Sequence, residues 1–134
     1  MTARHIVGID LGTTNTVVAS APAGTDEPAQ VLPILVRTDA GVVEPRSALR
    51  SSLYAPIASE VVAAAALPFP EDPGWIVGEL AVRRGSVVPR RYVASAKSWL
   101  CHPGVDRRAA ILPNDAPPEE IGRASCRERV CLAV

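Results

Sequence analysis

The chain has 134 residues, 48% apolar but only 4% aromatic, with 14 basic and 14 acidic residues in balance. That length suits one ordinary domain or a piece of a larger one, and the neutral balance removes the electrostatic reason to expect nucleic acid or an anionic membrane as partner. No apolar run reaches the roughly 18 residues of a membrane span, and MTARHIVGID lacks the features of a signal peptide, so the expected compartment is the cytoplasm.

In chain order, residues 5–10 and 16–21 read as two strands that look buried, rich in β-branched and small apolar residues and joined by a turn at Leu11–Asn15. APAGTDEP, 21–28, is a loop. VLPILVRT, 31–38, reads as a third strand in which Pro33 implies an edge position or a bulge. DAGVV, 39–43, gives a turn into a short extended run. The alternation over Ala48–Tyr54 fits a strand better than a helix. Residues 59–75 cross a proline-rich loop. WIVGELAVRRG, 75–85, is a strand, a tight turn at Gly78 and the start of a short helix. RYVASAKSWLCHPG, 91–104, reads as a helix ended by His102-Pro103-Gly104. Beyond Asp106 the chain is proline-rich and without clear period.

Three cysteines, Cys101, Cys126 and Cys131, make no even-numbered disulfide framework and lack the spacing of a zinc site. Cys101 is expected to be a small buried apolar residue. The bases are thirteen arginines and a single lysine, Lys97.

The most informative stretch is HIVGIDLGTTNTVVAS, 5–20, where two apolar runs flank DLGTTNT. A hairpin turn needs a positive φ, which Gly12 supplies at low steric cost, and a bare D-x-G turn would need no further explanation. The neighbours argue for more. Small residues at Gly12, Thr13 and Thr14 let backbone N–H groups approach a ligand, and consecutive N–H groups in a tight turn form a concave anion site. Thr13, Thr14 and Asn15 add side-chain donors. Asp10 would repel a bound phosphate unless a hydrated Mg²⁺ lay between them; that ion keeps several waters and is held by few carboxylates plus phosphate oxygens. Neither G-x-x-x-x-G-K-[ST] nor G-x-G-x-x-G occurs.

VGIDLGTTNTVVA resembles the first phosphate motif of the actin-like ATPase superfamily, which includes actin, the sugar kinases and the seventy-kilodalton heat-shock chaperones of DnaK type. Asn15-Thr16 after the two threonines is similar to the chaperone branch. WIVGELAVRRG resembles the chaperone segment in which a strand ends in V-G-x-x-A before a short helix, and SAKSWLCHPG resembles the A-K-x-x-[LI] segment that follows. The resemblance covers about residues 5–104. It departs at GVVEPRSALRSSLYA, 41–55, a blurred version of the chaperones' G-x-R-x-x-P-S stretch, and at SAKSWLC, which lacks their arginine and isoleucine-glycine.

The resemblance implies an α/β actin-like (ribonuclease H-like) fold, of which this chain is the N-terminal part of the first lobe. Residues 1–38 would start the lobe's sheet with its phosphate-binding hairpin, and 39–119 would form an incomplete peripheral subdomain. It implies ATP or ADP with Mg²⁺, contacts from Gly12, Thr13, Thr14 and Asn15, Asp10 holding the metal through water, and Lys97 reaching the terminal phosphate and the attacking water. A compact ammonium suits that reach better than a planar guanidinium. The intact parent would be an ATP-dependent chaperone that binds and releases unfolded polypeptide, with a J-domain co-chaperone and a nucleotide-exchange factor as partners. The alternatives are a sugar or small-molecule kinase and a non-enzymatic assembly protein of the same superfamily. With no second phosphate hairpin, the chain by itself is expected to bind phosphate weakly, to show no turnover and to associate through open strand edges.

EIGRASCRERV, 120–130, shows no core pattern or capped end, and its in-frame back-translation resembles a common sequencing adapter. Residues 120–134 are therefore expected to be a non-native tail. Resequencing the locus from a clean library should return different codons after residue 119; the same codons in genomic DNA would contradict this.

Overall fold

The computed structural model describes residues 4–57, 59–60, 75–99, 101–104, 106 and 112–113. Expectations for residues 61–74 and for the tail, 120–134, lie outside the described residues. Among the described residues no helix is long and apolar enough to cross a membrane.

The first two apolar runs form β1 (His5–Leu11) and β2 (Asn15–Pro22), paired antiparallel from His5↔Pro22 to Leu11↔Thr16. The expected third strand is broken at Pro33. Before it, β3 (Gln30–Val31) pairs with β2; after it, β4 (Ile34–Asp39) pairs with β5 (Val42–Arg46) through a turn at Ala40-Gly41. Proline has no N–H for a ladder, so the chain changes sheet there. Gly41 takes φ +73, which a side chain would strain.

The next run serves two sheets. In it, β6 (Leu49–Arg50) joins the first sheet beside β2, and β7 (Ser52–Tyr54) is the centre of another, between β8 (Ile76–Val77) and β9 (Tyr92–Ala94). Alternation along β7 sends Leu53 and Tyr54 to opposite faces. Tyr54 packs with Ile76 and with Leu80 and Ala81 of helix α1 (Glu79–Val87). Leu53 packs with Val93, Leu112 and Ala96 of the short helix α2 (Ala96–Trp99). The small sheet is thus covered by apolar side chains on both faces. Gly78 starts α1 at φ +78, where an added Cβ would meet Leu49 Cδ1 at 2.8 Å, so glycine lets the helix lie close to β6.

Two expectations are corrected. Residues 92–94 are not helical: Tyr92–Ala94 is β9, paired with β7, and among the described residues of this segment the α-helix spans Ala96–Trp99. Local helix preference lost to pairing with a buried strand, a common outcome for a short segment. The first strand is also not buried. Ile6, Val7, Ile9 and Leu11 are 64%, 57%, 61% and 44% exposed, although a strand apolar on both faces is the pattern of one covered on both. β1 is the edge strand of its sheet among the described residues, and such an edge favours association.

The packing yields two predictions. Gly85 is buried in α1, and a Cβ there would run into the Tyr92 ring. Gly85→Ala gains about 1 kcal/mol of helix propensity but loses about 1–3 kcal/mol to overpacking. Its thermal midpoint should therefore fall, while Ser86→Ala at the exposed neighbouring position should leave it nearly unchanged. Tyr54, 1% exposed, has its hydroxyl pKa raised, first by burial and then by the nearby Glu60 carboxylate. The folded chain therefore keeps this proton at a pH where the unfolded chain releases it. The resulting stability is complete below about pH 10 and is lost as pH rises past that value. Tyr54→Phe should flatten the alkaline decline in melting temperature; an unchanged alkaline slope would contradict the assignment.

Candidate functional site

The turn at residues 12–14, between β1 and β2, is held from behind by one residue. Ser51 N–H donates to the Thr14 carbonyl at 2.9 Å, and its hydroxyl donates to the Gly12 carbonyl at 2.8 Å. Thr16 Oγ1 lies 3.4 Å from the same hydroxyl, with both residues buried. Because Ser51 Oγ gives its one hydrogen to Gly12, the Thr16 hydroxyl is the donor in that weaker contact.

These bonds orient the turn. A trans peptide is planar, with its C=O and the following N–H pointing in opposite directions. Drawing the Gly12 and Thr14 oxygens towards Ser51 therefore turns the N–H groups of Thr13 and Asn15 away from it. Among the described residues no group bonds to the Thr13 amide. The two threonines are exposed, and Gly12 and Asn15 are half-buried. The open side of the turn thus presents amide and hydroxyl donors, while two carbonyls that would repel an anion are occupied behind it.

Gly12 is required for a different reason than expected. It does not adopt a positive φ, nor do Thr13, Thr14 or Asn15. A Cβ on Gly12 would instead run into the Asn15 carbonyl, so the need is for closeness across the turn.

Lys97 reaches this turn from the other end of the chain, its Nζ donating to the Leu11 carbonyl at 2.6 Å across 86 residues of sequence. The approach follows from the core. Val93 of β9 and Ala96 of α2 pack in one cluster with Leu53, and the next residue projects about 100° further round the helix. Between them Ser95 takes the left-handed conformation, φ +53, turning the chain from strand to helix; that conformation costs a non-glycine residue on the order of 1 kcal/mol. An ammonium has three donors. Lys97 is exposed, so its remaining donors face solvent beside the turn.

Asp10, one residue before Leu11, is exposed and forms no ion pair among the described residues. No cluster of three or more His, Cys, Asp or Glu gathers there among the described residues. A cation at this turn would hold to a single carboxylate, water and the oxygens of an anionic ligand, a donor set that suits hydrated Mg²⁺.

The structure thus brings Asp10, Gly12, Thr13, Thr14, Asn15 and Lys97 to one end of the β1–β2 hairpin. Sequence reasoning missed Ser51, whose signal is the Ser51-Ser52 pair inside an otherwise alternating strand pattern. Ser52, by contrast, bonds the Tyr92 hydroxyl at 3.0 Å within the small sheet. Cys101, expected to be buried, is exposed. Comparison of the chain with family models, curated proteins and solved structures finds no match.

Proposed function

We propose that this chain carries the first phosphate-binding hairpin of an actin-like, Mg²⁺-dependent ATP-hydrolysing domain. We place it in a chaperone of the seventy-kilodalton heat-shock type, where hydrolysis drives the binding and release of unfolded polypeptide. J-domain and nucleotide-exchange proteins would then be its partners. The observation that carries the reading is the 2.6 Å bond from Lys97 to the Leu11 carbonyl. The chain's only lysine lies at the turn whose motif calls for one. The chaperone branch rests on the similarity of Asn15-Thr16 and of residues 75–85 and 95–104 to that family.

In this reading the Thr13 and Asn15 amides and the threonine hydroxyls bind phosphate oxygens and fix their orientation. Lys97 places positive charge where charge develops on the terminal phosphate and hydrogen-bonds the attacking water. Asp10 holds the waters of the cation. Bound Mg²⁺ supplies charge neutralisation on the phosphate oxygens.

The test is made in a protein that joins this segment to a second nucleotide-binding lobe. Lys97→Ala should lower single-turnover ATP hydrolysis by on the order of 10² or more while changing nucleotide affinity much less. Phosphate should go to water, faster in the presence of a J-domain protein and unfolded polypeptide. An unchanged hydrolysis rate would remove Lys97 from the mechanism, and transfer to a sugar hydroxyl would replace the chaperone with a kinase.

A further inference from the structure

We propose that Ser51 is the positioning residue of this turn, a role that rests on reading the turn as a phosphate site. Two of its groups hold two alternate carbonyls, Gly12 and Thr14, and so set the direction of the Thr13 and Asn15 amides. It touches no ligand itself, since it lies behind the turn and is 7% exposed.

The two bonds differ in what a substitution removes. The N–H to Thr14 bond belongs to the backbone and survives any replacement except proline. The hydroxyl to Gly12 bond is the side chain's own, and its loss frees the Gly12–Thr13 peptide to rotate. That peptide carries the amide for which no partner exists among the described residues. A free rotor must be ordered again each time an anion binds, which weakens binding without adding or removing any contact to the anion. The hydroxyl is also the route by which the rest of the fold reaches the turn. Ser51 lies between β6, paired with β2, and β7, paired with β8 and β9, so the turn's shape is tied to the sheet that positions Lys97.

The test uses the full chain, labelled with ¹⁵N and titrated with sodium tripolyphosphate with and without Mg²⁺. In the unliganded protein the Ser51 amide should be protected from hydrogen exchange and the Thr13 amide should not. Tripolyphosphate should shift the Thr13 and Asn15 resonances and slow exchange at Thr13. Ser51→Ala should weaken this binding roughly three- to tenfold, the range set by one lost hydrogen bond, and Ser51→Thr, which keeps the hydroxyl, should restore it. Wild-type binding matched by Ser51→Ala would overturn the positioning role alone. A wild-type protein in which tripolyphosphate moves none of residues 12–15 would overturn the phosphate reading and this role with it. Should Ser51→Ala fail to fold, the wild-type exchange pattern decides: protection of Thr13 in the absence of any anion would show that its amide does not face outward.

Discussion

The structure depends on a six-residue run, Leu49–Tyr54, that pairs with two sheets. Its first part extends the hairpin sheet through Asn15↔Arg50 and Thr16↔Leu49, and its last part centres the small sheet through Leu53↔Val77 and Ser52↔Ala94. Ser51, between them, bonds the turn. A one-residue slip in this run would exchange Leu53 and Tyr54 between the two faces of the small sheet. It would also remove Ser51 from the Gly12 and Thr14 carbonyls. The apolar packing around β7 therefore fixes the register on which the polar turn relies.

Magnitudes decide what holds Lys97 in place. Its bond to Leu11 is exposed, and such a bond contributes about 1 kcal/mol. Burying a side chain of the size of Leu53 or Val93 contributes about 1.5–3 kcal/mol. The core cluster of Leu53, Val93, Ala96 and Leu112 thus places α2, and the lysine bond is a consequence of that placement. Little free energy is lost if the ammonium leaves Leu11 for a phosphate oxygen, as the proposed role requires.

The hairpin was legible because a short polar segment between apolar runs has few other solutions, and Pro33 and Gly78 marked breaks through backbone chemistry that no context overrides. β9 was misread because a three-residue strand carries too little pattern to outweigh the helical look of the ASAKSW stretch beside it; its strand state comes from β7, 40 residues earlier. The exposure of β1 was illegible for a related reason, since apolar pattern reports what a strand is suited to pack against and not whether a neighbour is there. Ser51 shows locally only as half of a Ser51-Ser52 pair that interrupts the alternation, and its role was illegible because its partners lie 35 and 39 residues away. The nearness of Lys97 to the turn came from the family resemblance, since 86 residues separate the two bonded groups.

The central claim is that Lys97 lies against the turn at the end of β1. The chain has one lysine, so selective lysine labelling gives a single ε-methylene resonance. Its nuclear Overhauser contacts therefore test the claim directly. The account predicts cross-peaks from that methylene to protons of Leu11 and Gly12, with the side chain partly immobilised. A freely rotating lysine with no cross-peak to residues 11–14 would contradict it.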